Sequence, residues 1–285
     1  MSPMRSSEKA AEIPPQIHLY QDRSSKTLNL EEIASYLVEK LGQVSVDIRG
    51  PLFAGAAGVD LRGLAREMAL ARIRDPMKKH FFFEPLPGEI NLELKLLQNP
   101  EQRILGLFYD GVALRRLALR LIPEEERNHG HLHLVFTNRL FGTWEAADAR
   151  YHARVSLYSF PCLISTTGIV EAPAKPREFY ALKQQSLALG TIAYEELKER
   201  FRGRFIDYDD ERLTEVMKGY VMQALFYHLT GNPFCEVKTC RLYNAHWQEE
   251  VILAQLGPKD SEFCDFHSKL GLRLFGKELN RRETT

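Results

Sequence analysis

The sequence lacks the long apolar segments that insertion into a membrane requires. No segment offers about 18 uninterrupted apolar residues, and the first stretch, MSPMRSSEKAAEIPPQ, has no apolar run of the kind found in signal peptides. An excess of charge is also missing, since 38 lysines and arginines balance 38 aspartates and glutamates. Nothing in the overall charge therefore favours nucleic acid or an anionic membrane surface as a partner. We expect a soluble, cytoplasmic protein.

Cysteine is scarce, and its distribution is uneven. Four cysteines in 285 residues are too few for a scaffold held by disulfides. Three of them, Cys235, Cys240 and Cys264, fall within 30 residues of one another. A glycine-rich phosphate loop is absent as well, because GPLFAGAAG lacks the lysine and hydroxyl that such a loop needs. Clustered thiols without a nucleotide motif indicate a metal site.

The first 50 residues predict a strand, a helix and a second strand. QIHLYQ alternates like a strand, and Asn29 can cap a helix that ends at Gly42. Between them, apolar residues recur at helical spacing from Ile33 to Leu41. VSVDIR follows as a strand, so the segment predicts a βαβ unit with parallel strands.

The remaining pattern divides the chain into two parts. Residues 60–74 predict a helix that ends before Pro76, and strands are predicted in RILGLFYD, in HLHLVFTNRL and on both sides of Pro161. From about residue 177 the pattern is helical, with a long helix between Asp210 and Leu229. We predict an α/β fold: a disordered tail (1–15), a mixed sheet with flanking helices (16–176) and a mostly helical C-terminal half (177–285). The two parts can share one compact domain.

The clustered cysteines have the spacing of a metal clip. Cys235, Cys240, Cys264 and His267 follow the pattern Cys-x4-Cys-x23-Cys-x2-His, which is two chelating pairs with a long connection. Three thiolates and one imidazole satisfy tetrahedral zinc and leave no position for water, so such a site is structural. Two alternatives stay open: the thiols could be small buried apolar groups, or Cys235 and Cys240 could form a disulfide.

The segment ALFYHLTGNPFC, followed by EVKTC, resembles the archaemetzincins, a metzincin-like group of zinc metallopeptidases. Their motif is His-Glu-x-x-His-x-x-Gly-x-x-His-Cys, then four residues, Cys, and later Cys-x-x-Cys. His228, Gly231, Cys235 and Cys240 match the second histidine, the glycine and the first two cysteines. Cys264 and His267 resemble the closing pair, with histidine in place of the last cysteine. The resemblance implies a metzincin-like α/β fold, a structural zinc site and a metallopeptidase family.

Three positions depart from that motif. Ala224 and Leu225 stand where the first histidine and the catalytic glutamate belong, and Phe234 stands where the third histidine belongs. Catalytic zinc needs three protein ligands, a water molecule and a carboxylate that accepts the water's proton. The resemblance therefore implies a peptidase scaffold in which peptide-bond hydrolysis is doubtful and enzymatic activity stays open. A non-catalytic protein that binds a peptide or a protein partner is the alternative.

Other histidines offer two further metal hypotheses. If NAHWQEE is helical, His246 and Glu249 share a face and could rebuild a catalytic site together with His228. The competing interpretation is a solvated helix face. In HGHLH, the residues His129, His131 and His133 would share one face of an extended strand and could bind a metal at the surface. The competing interpretation there is a partly exposed strand entrance.

Overall fold

The structure, a computed structural model, describes residues 13–22, 25–55, 58–79, 83–189, 194–257, 262–276 and 279–280. The predicted tail at residues 1–15 lies outside these ranges except for its last three residues. None of the helices in the described ranges is both long and apolar enough to cross a membrane.

The described strands form two sheets. The first is mixed and has the order β2-β1-β4-β8-β7, in which only the β7–β8 pair is antiparallel. The second has the order β3-β5-β6, with β3 parallel and β6 antiparallel to β5. The strands are β1 (Gln16–Gln21), β2 (Ser45–Arg49), β3 (Phe108–Asp110), β4 (His131–Thr137), β5 (Leu140–Glu145), β6 (Arg150–Arg154), β7 (Ser156–Leu157) and β8 (Cys162–Ser165).

Helices cover the first sheet and make up most of the second half of the chain. A short 3-10 helix (Glu124–Glu126) precedes β4. The α-helices are α1 (Leu30–Leu41), α2 (Leu52–Gly55), α3 (Leu61–Leu70), α4 (Pro87–Gln98), α5 (Gly111–Leu121), α6 (Gly168–Glu171), α7 (Arg177–Leu189), α8 (Tyr194–Arg200), α9 (Leu213–Thr230), α10 (Gln248–Leu256) and α11 (Asp265–Phe275). The predicted fold class is confirmed: a mixed sheet with flanking helices precedes a helical half that carries the cysteines.

The predicted βαβ unit is present, with its boundaries close to those expected. The Asn29 side chain accepts a hydrogen bond from the backbone N–H of Glu32 and so begins α1, and Gly42 ends the helix with a positive φ of 79°. β1 and β2 pair in parallel, with His18 opposite Asp47. Local capping and apolar spacing determine this unit, which is why the sequence predicts it well.

One apolar core joins the two predicted parts of the chain. Ile17 and Leu134 from the first sheet, together with Ile33 from α1, are fully buried against Met217 and Leu225 of α9. Because side chains alternate along a strand, residues 132 and 134 of β4 face α9 while residues 131 and 133 face the opposite side. The first sheet therefore separates two faces that carry different chemistry.

The second core lies on that opposite face and contains a helix that the sequence did not predict. The sequence analysis assigned no helix between the predicted helix at 60–74 and the predicted strand RILGLFYD, but α4 occupies Pro87–Gln98. This helix places the carboxylate of Glu93 in a fully buried position, where it accepts hydrogen bonds from Arg72 and from the hydroxyl of Tyr109 (2.6 and 2.7 Å). Pro87 stands at the start of α4, where proline is favourable, but the polar composition of the region gave no sign that a helix begins there.

Candidate metal centre and neighbouring cavities

The end of α9 directs the chain into the cysteine loop. Gly231 takes a left-handed conformation (φ 74°), and its N–H bonds to the carbonyl of Tyr227. Cys235 then pairs with the other arm of the loop, since its N–H donates to the carbonyl of Leu242 at 2.8 Å. The N–H of Val237 approaches the sulfur of Cys235 at 3.3 Å. The loop thus holds its two cysteines on one tight turn.

The second pair of ligands comes from the start of α11. Cys264 is the N-cap residue of α11, and His267 lies three residues later in its first turn. Their ligand atoms, Sγ and Nδ1, are 3.2 Å apart. Residues three apart lie on the same side of a helix start, so this spacing alone orients both side chains towards one point.

All four predicted ligands converge. The ligand atoms of Cys235, Cys240, Cys264 and His267 lie within 4.8 Å of one another, and all four cysteines of the chain are free thiols. The sulfurs of Cys235 and Cys264 are 3.7 Å apart. Two thiolates bound to one tetrahedral ion at ~2.3 Å would lie ~3.8 Å apart. The cluster therefore has the donors and the spacing for a tetrahedral metal ion.

The protonation chemistry of the cluster also fits a metal ion. Burial raises the pKa of the Cys240 thiol to about 12, so a thiolate here requires a cation beside it. Burial lowers the pKa of His267, which leaves its imidazole neutral with a lone pair available. Phe226 of α9 packs edge-to-face on the His267 ring, with ring centroids 5.4 Å apart, and fixes its orientation.

A buried ionic network supports the cysteine loop. The guanidinium of Arg241, next to Cys240, pairs with Glu215 of α9 and with Glu262 (2.8 Å). Burial by itself would raise the pKa of Glu215, but the hydrogen bond from Lys218 and the charge of Arg241 outweigh it and lower the pKa to about 2. Glu262 also accepts a hydrogen bond from Lys40 of α1. The network ties the loop to α1 and α9.

The predicted catalytic residues do not converge as a group. His228 donates its Nε2 hydrogen to the carbonyl of His129 at 3.0 Å, because a carbonyl can only accept. His246 precedes α10 rather than lying on it, and Glu249 pairs with Arg204. In the described part of the chain, the groups of metal-binding side chains that converge include none of these three residues. The hypothesis of a rebuilt site required one helix that contains both His246 and Glu249, and this requirement was wrong because α10 begins at Gln248.

Two cavities border α9. The first, of about 470 Å³, is lined by residues 153–157 of β6 and β7, by Tyr227 and Phe234, and by His246. The second, of about 480 Å³, is lined by His129, Phe160 and His228. Ala224 and Leu225 are instead buried in the core, with 1% and 0% of their surface exposed. Of the three residues that depart from the archaemetzincin motif, these two therefore point away from solvent.

A second histidine cluster lies on the opposite face of the sheet. His18 of β1 joins His131 and His133 of β4, and their ligand nitrogens lie within 4.8 Å of one another. His129 lies before the strand and contacts His228 instead. Sequence reasoning expected His129, His131 and His133 to share a face; it missed His18. A histidine in the first predicted strand was the available signal, but its pairing with β4 could not be read from the sequence.

Comparison with known families decides the affiliation. The model of the probable metallopeptidase family DUF6775 matches residues 14–273. The chain belongs to this family. No curated protein and no solved structure gave a match. Membership in a probable metallopeptidase family agrees with a protein that binds a metal ion, and the Cys/His cluster of the α9–α11 region is a candidate site for one.

Proposed function

We propose that this member of the metallopeptidase family holds a structural zinc ion with Cys235, Cys240, Cys264 and His267, and does not hydrolyse peptides through α9. The supporting observation is the convergence of four soft and borderline donors in a buried pocket. Four protein ligands fill the tetrahedral shell, so no coordination position remains for a reactive water. The ion fixes the cysteine loop and α11 to the end of α9.

The absence of the catalytic set on α9 supports the second half of the proposal. Relative to the archaemetzincin motif, Ala224 and Phe234 stand in place of two zinc ligands, and Leu225 stands in place of the general base. His228 alone remains, and its Nε2 is engaged by the carbonyl of His129. Metal-assisted hydrolysis needs a bound water and a carboxylate to accept its proton, and a single imidazole supplies neither.

Metal analysis of purified variants tests the structural site. Cys235→Ala removes a ligand and is expected to lose one zinc ion per chain relative to the unchanged protein, whereas His228→Ala is expected to lose none. The histidine variant is the matched control, because it alters the only motif histidine on α9. Equal zinc content in the unchanged protein and in Cys235→Ala contradicts the proposal.

A hydrolysis screen tests the loss of catalysis. The protein is supplied with zinc and incubated with a broad set of quenched fluorescent peptides, and no turnover above the buffer rate is expected. Turnover that disappears in His228→Ala or Glu249→Ala would instead establish a rebuilt catalytic site and reject the proposal.

The first of the two cavities beside α9, which Tyr227, Phe234 and His246 line, favours peptide binding as a second candidate function. Its wall includes residues 153–157, which leave β6 at the end of the second sheet, and an extended peptide can add to a strand in that position. Aromatic side chains line the other side: Tyr158, Tyr220, Tyr227, Phe234 and Tyr243. Tyrosine and phenylalanine are enriched at the centres of protein interfaces.

Binding of fluorescent peptide libraries tests this candidate. Phe234 is 37% exposed and packs edge-to-face on Tyr158, so Phe234→Ala is expected to weaken binding by about tenfold. Phe266→Ala serves as control, because Phe266 is 68% exposed on α11 and does not line the cavity. Equal binding by both variants contradicts a peptide site in this cavity.

A further inference from the structure

The three-histidine cluster lies in one row across the first sheet. Asp47 of β2, His18 of β1 and His133 of β4 are successive register partners on three parallel strands. His131, two residues before His133, points to the same face. The Nε2 atom of His18 is 2.8 Å from the Nδ1 atom of His131. Strand pairing alone therefore brings three imidazoles together.

The surroundings orient His18 as a ligating histidine is oriented in metal sites, while its ring stacks on those of His131 and His133, with ring centroids 5.2 and 4.5 Å apart. The Asp47 carboxylate accepts a hydrogen bond from Nδ1 of His18, which leaves the lone pair of Nε2 facing the cluster. Asp47 is itself held by the guanidinium of Arg49 at 2.7 Å. The Tyr20 hydroxyl contacts Nδ1 of His133 at 3.0 Å. A carboxylate behind a ligating histidine is the usual arrangement around protein-bound zinc.

We propose that His18, His131 and His133 form a second metal site, which binds a divalent transition ion of the zinc type. Neutral imidazoles prefer zinc, copper, nickel or cobalt over magnesium or calcium. Two nitrogens bound at ~2.0–2.1 Å to one tetrahedral ion lie ~3.3–3.4 Å apart. To admit the ion, His18 and His131 separate by about half an ångström and the stacked rings turn so that their lone pairs converge.

This site differs from the cysteine site in its location and coordination. It lies on the face of the sheet opposite α9, because Leu132 and Leu134 alternate with its histidines and pack towards α9. Three protein nitrogens leave one coordination position for water or a substrate oxygen. Solvent reaches the cluster at its edge, where His131 is partly exposed and the Asp47 side chain is 45% exposed.

Cobalt titration of the full chain tests the proposal, with the two sites read separately. Thiolate ligands give an intense charge-transfer band in the near ultraviolet, whereas a site of imidazoles gives only weak visible bands. We expect two cobalt ions per chain in the unchanged protein and one in His131→Ala, with the thiolate band retained. Cys240→Ser is expected to lose the thiolate band and keep the other ion, so failure of the cysteine site is distinguishable.

Two further variants keep the test decisive. His129→Ala changes a histidine of the same HGHLH run outside the cluster and is expected to keep both ions. Asp47→Asn preserves all three ligands and is expected to weaken cobalt binding at this site by about 10- to 100-fold. A titration of the unchanged protein that ends at one ion with the thiolate band present, or a His131→Ala variant that still binds two ions, overturns the proposal and leaves a metal-free hydrogen-bonded chain.

Discussion

Removal of the structural ion is expected to release α11 while the rest of the chain stays folded. This helix has 11 residues, and its buried residues are His267, Ser268 and Gly271, of which the first is a proposed metal ligand and none is a large apolar side chain. Isolated helices shorter than ~12–15 residues are marginal in water. Without the ion, α11 keeps only the contacts of its partly buried apolar residues, Leu270, Leu274 and Phe275, with the core. These contacts are expected to hold it less firmly than the ion does.

The size of the effect follows from linkage. A ligand at a free concentration 1,000 times its dissociation constant stabilises the state that binds it by ~4.1 kcal/mol. That free energy corresponds to ~1,000-fold in an equilibrium constant, since 1.4 kcal/mol is a factor of about ten. We expect amide exchange in residues 265–275 to speed up by about 100- to 1,000-fold on chelation.

Hydrogen exchange with mass spectrometry measures this directly, with and without a chelator. Peptides from the buried part of α9, residues 216–226, report on the core and are expected to change by less than about tenfold. Cys240→Ala should reproduce the chelator's effect, whereas Cys162→Ala, which removes the buried thiol on β8, should not. Unchanged exchange in α11 after zinc loss, or equal loss of protection in α9, refutes the reasoning.

Three further predictions concern stability. Glu93→Gln leaves Arg72 without its buried counter-charge and is expected to lower the free energy of unfolding by ~3–5 kcal/mol in urea titrations; a loss below about 1 kcal/mol contradicts the pairing. The folded pKa of Glu215 is about 2 against 4.5 as reference, so its contribution is present above pH 4.5 and is lost as the pH falls towards 2. Glu215→Gln should therefore lower the free energy of unfolding by ~2–3 kcal/mol at pH 7, and its melting temperature should fall less between pH 6 and 3 than that of the unchanged protein. Melting temperatures of the two proteins that fall in parallel over this pH range would argue against the prediction. Gly231→Ala places a Cβ at a φ of 74° and should lower the free energy of unfolding by ~1 kcal/mol, measured by thermal melting. The metal content should stay unchanged, because the cap acts on α9.

Local signals predict the parts of the fold that depend on neighbours in sequence. The cap at Asn29, the glycine at residue 42 and the apolar spacing between them define α1, and the structure agrees to within a residue. The sequence also predicts each of the two ligand pairs, because a tight turn and a helix start each orient two side chains that lie three to five residues apart. α4 was missed because its weak apolar periodicity and polar neighbours resemble a loop.

Long-range pairing decided the rest. His18 and His131 are 113 residues apart, and they meet only because β1 lies beside β4 in parallel register. In the same way, the interpretation of His246 and Glu249 depended on a helix that begins two residues too late.

By itself, the sequence determined the βαβ unit, the four candidate ligands of the cysteine site and the apolar residues that stand where the archaemetzincin motif has histidine and glutamate. Only the tertiary structure decided that the two ligand pairs converge, that His228 binds a carbonyl, and that a second histidine cluster forms behind the sheet. The reason is that capping, spacing and turn chemistry act over a few residues, whereas strand order and helix packing are set by burial of apolar surface across the whole chain.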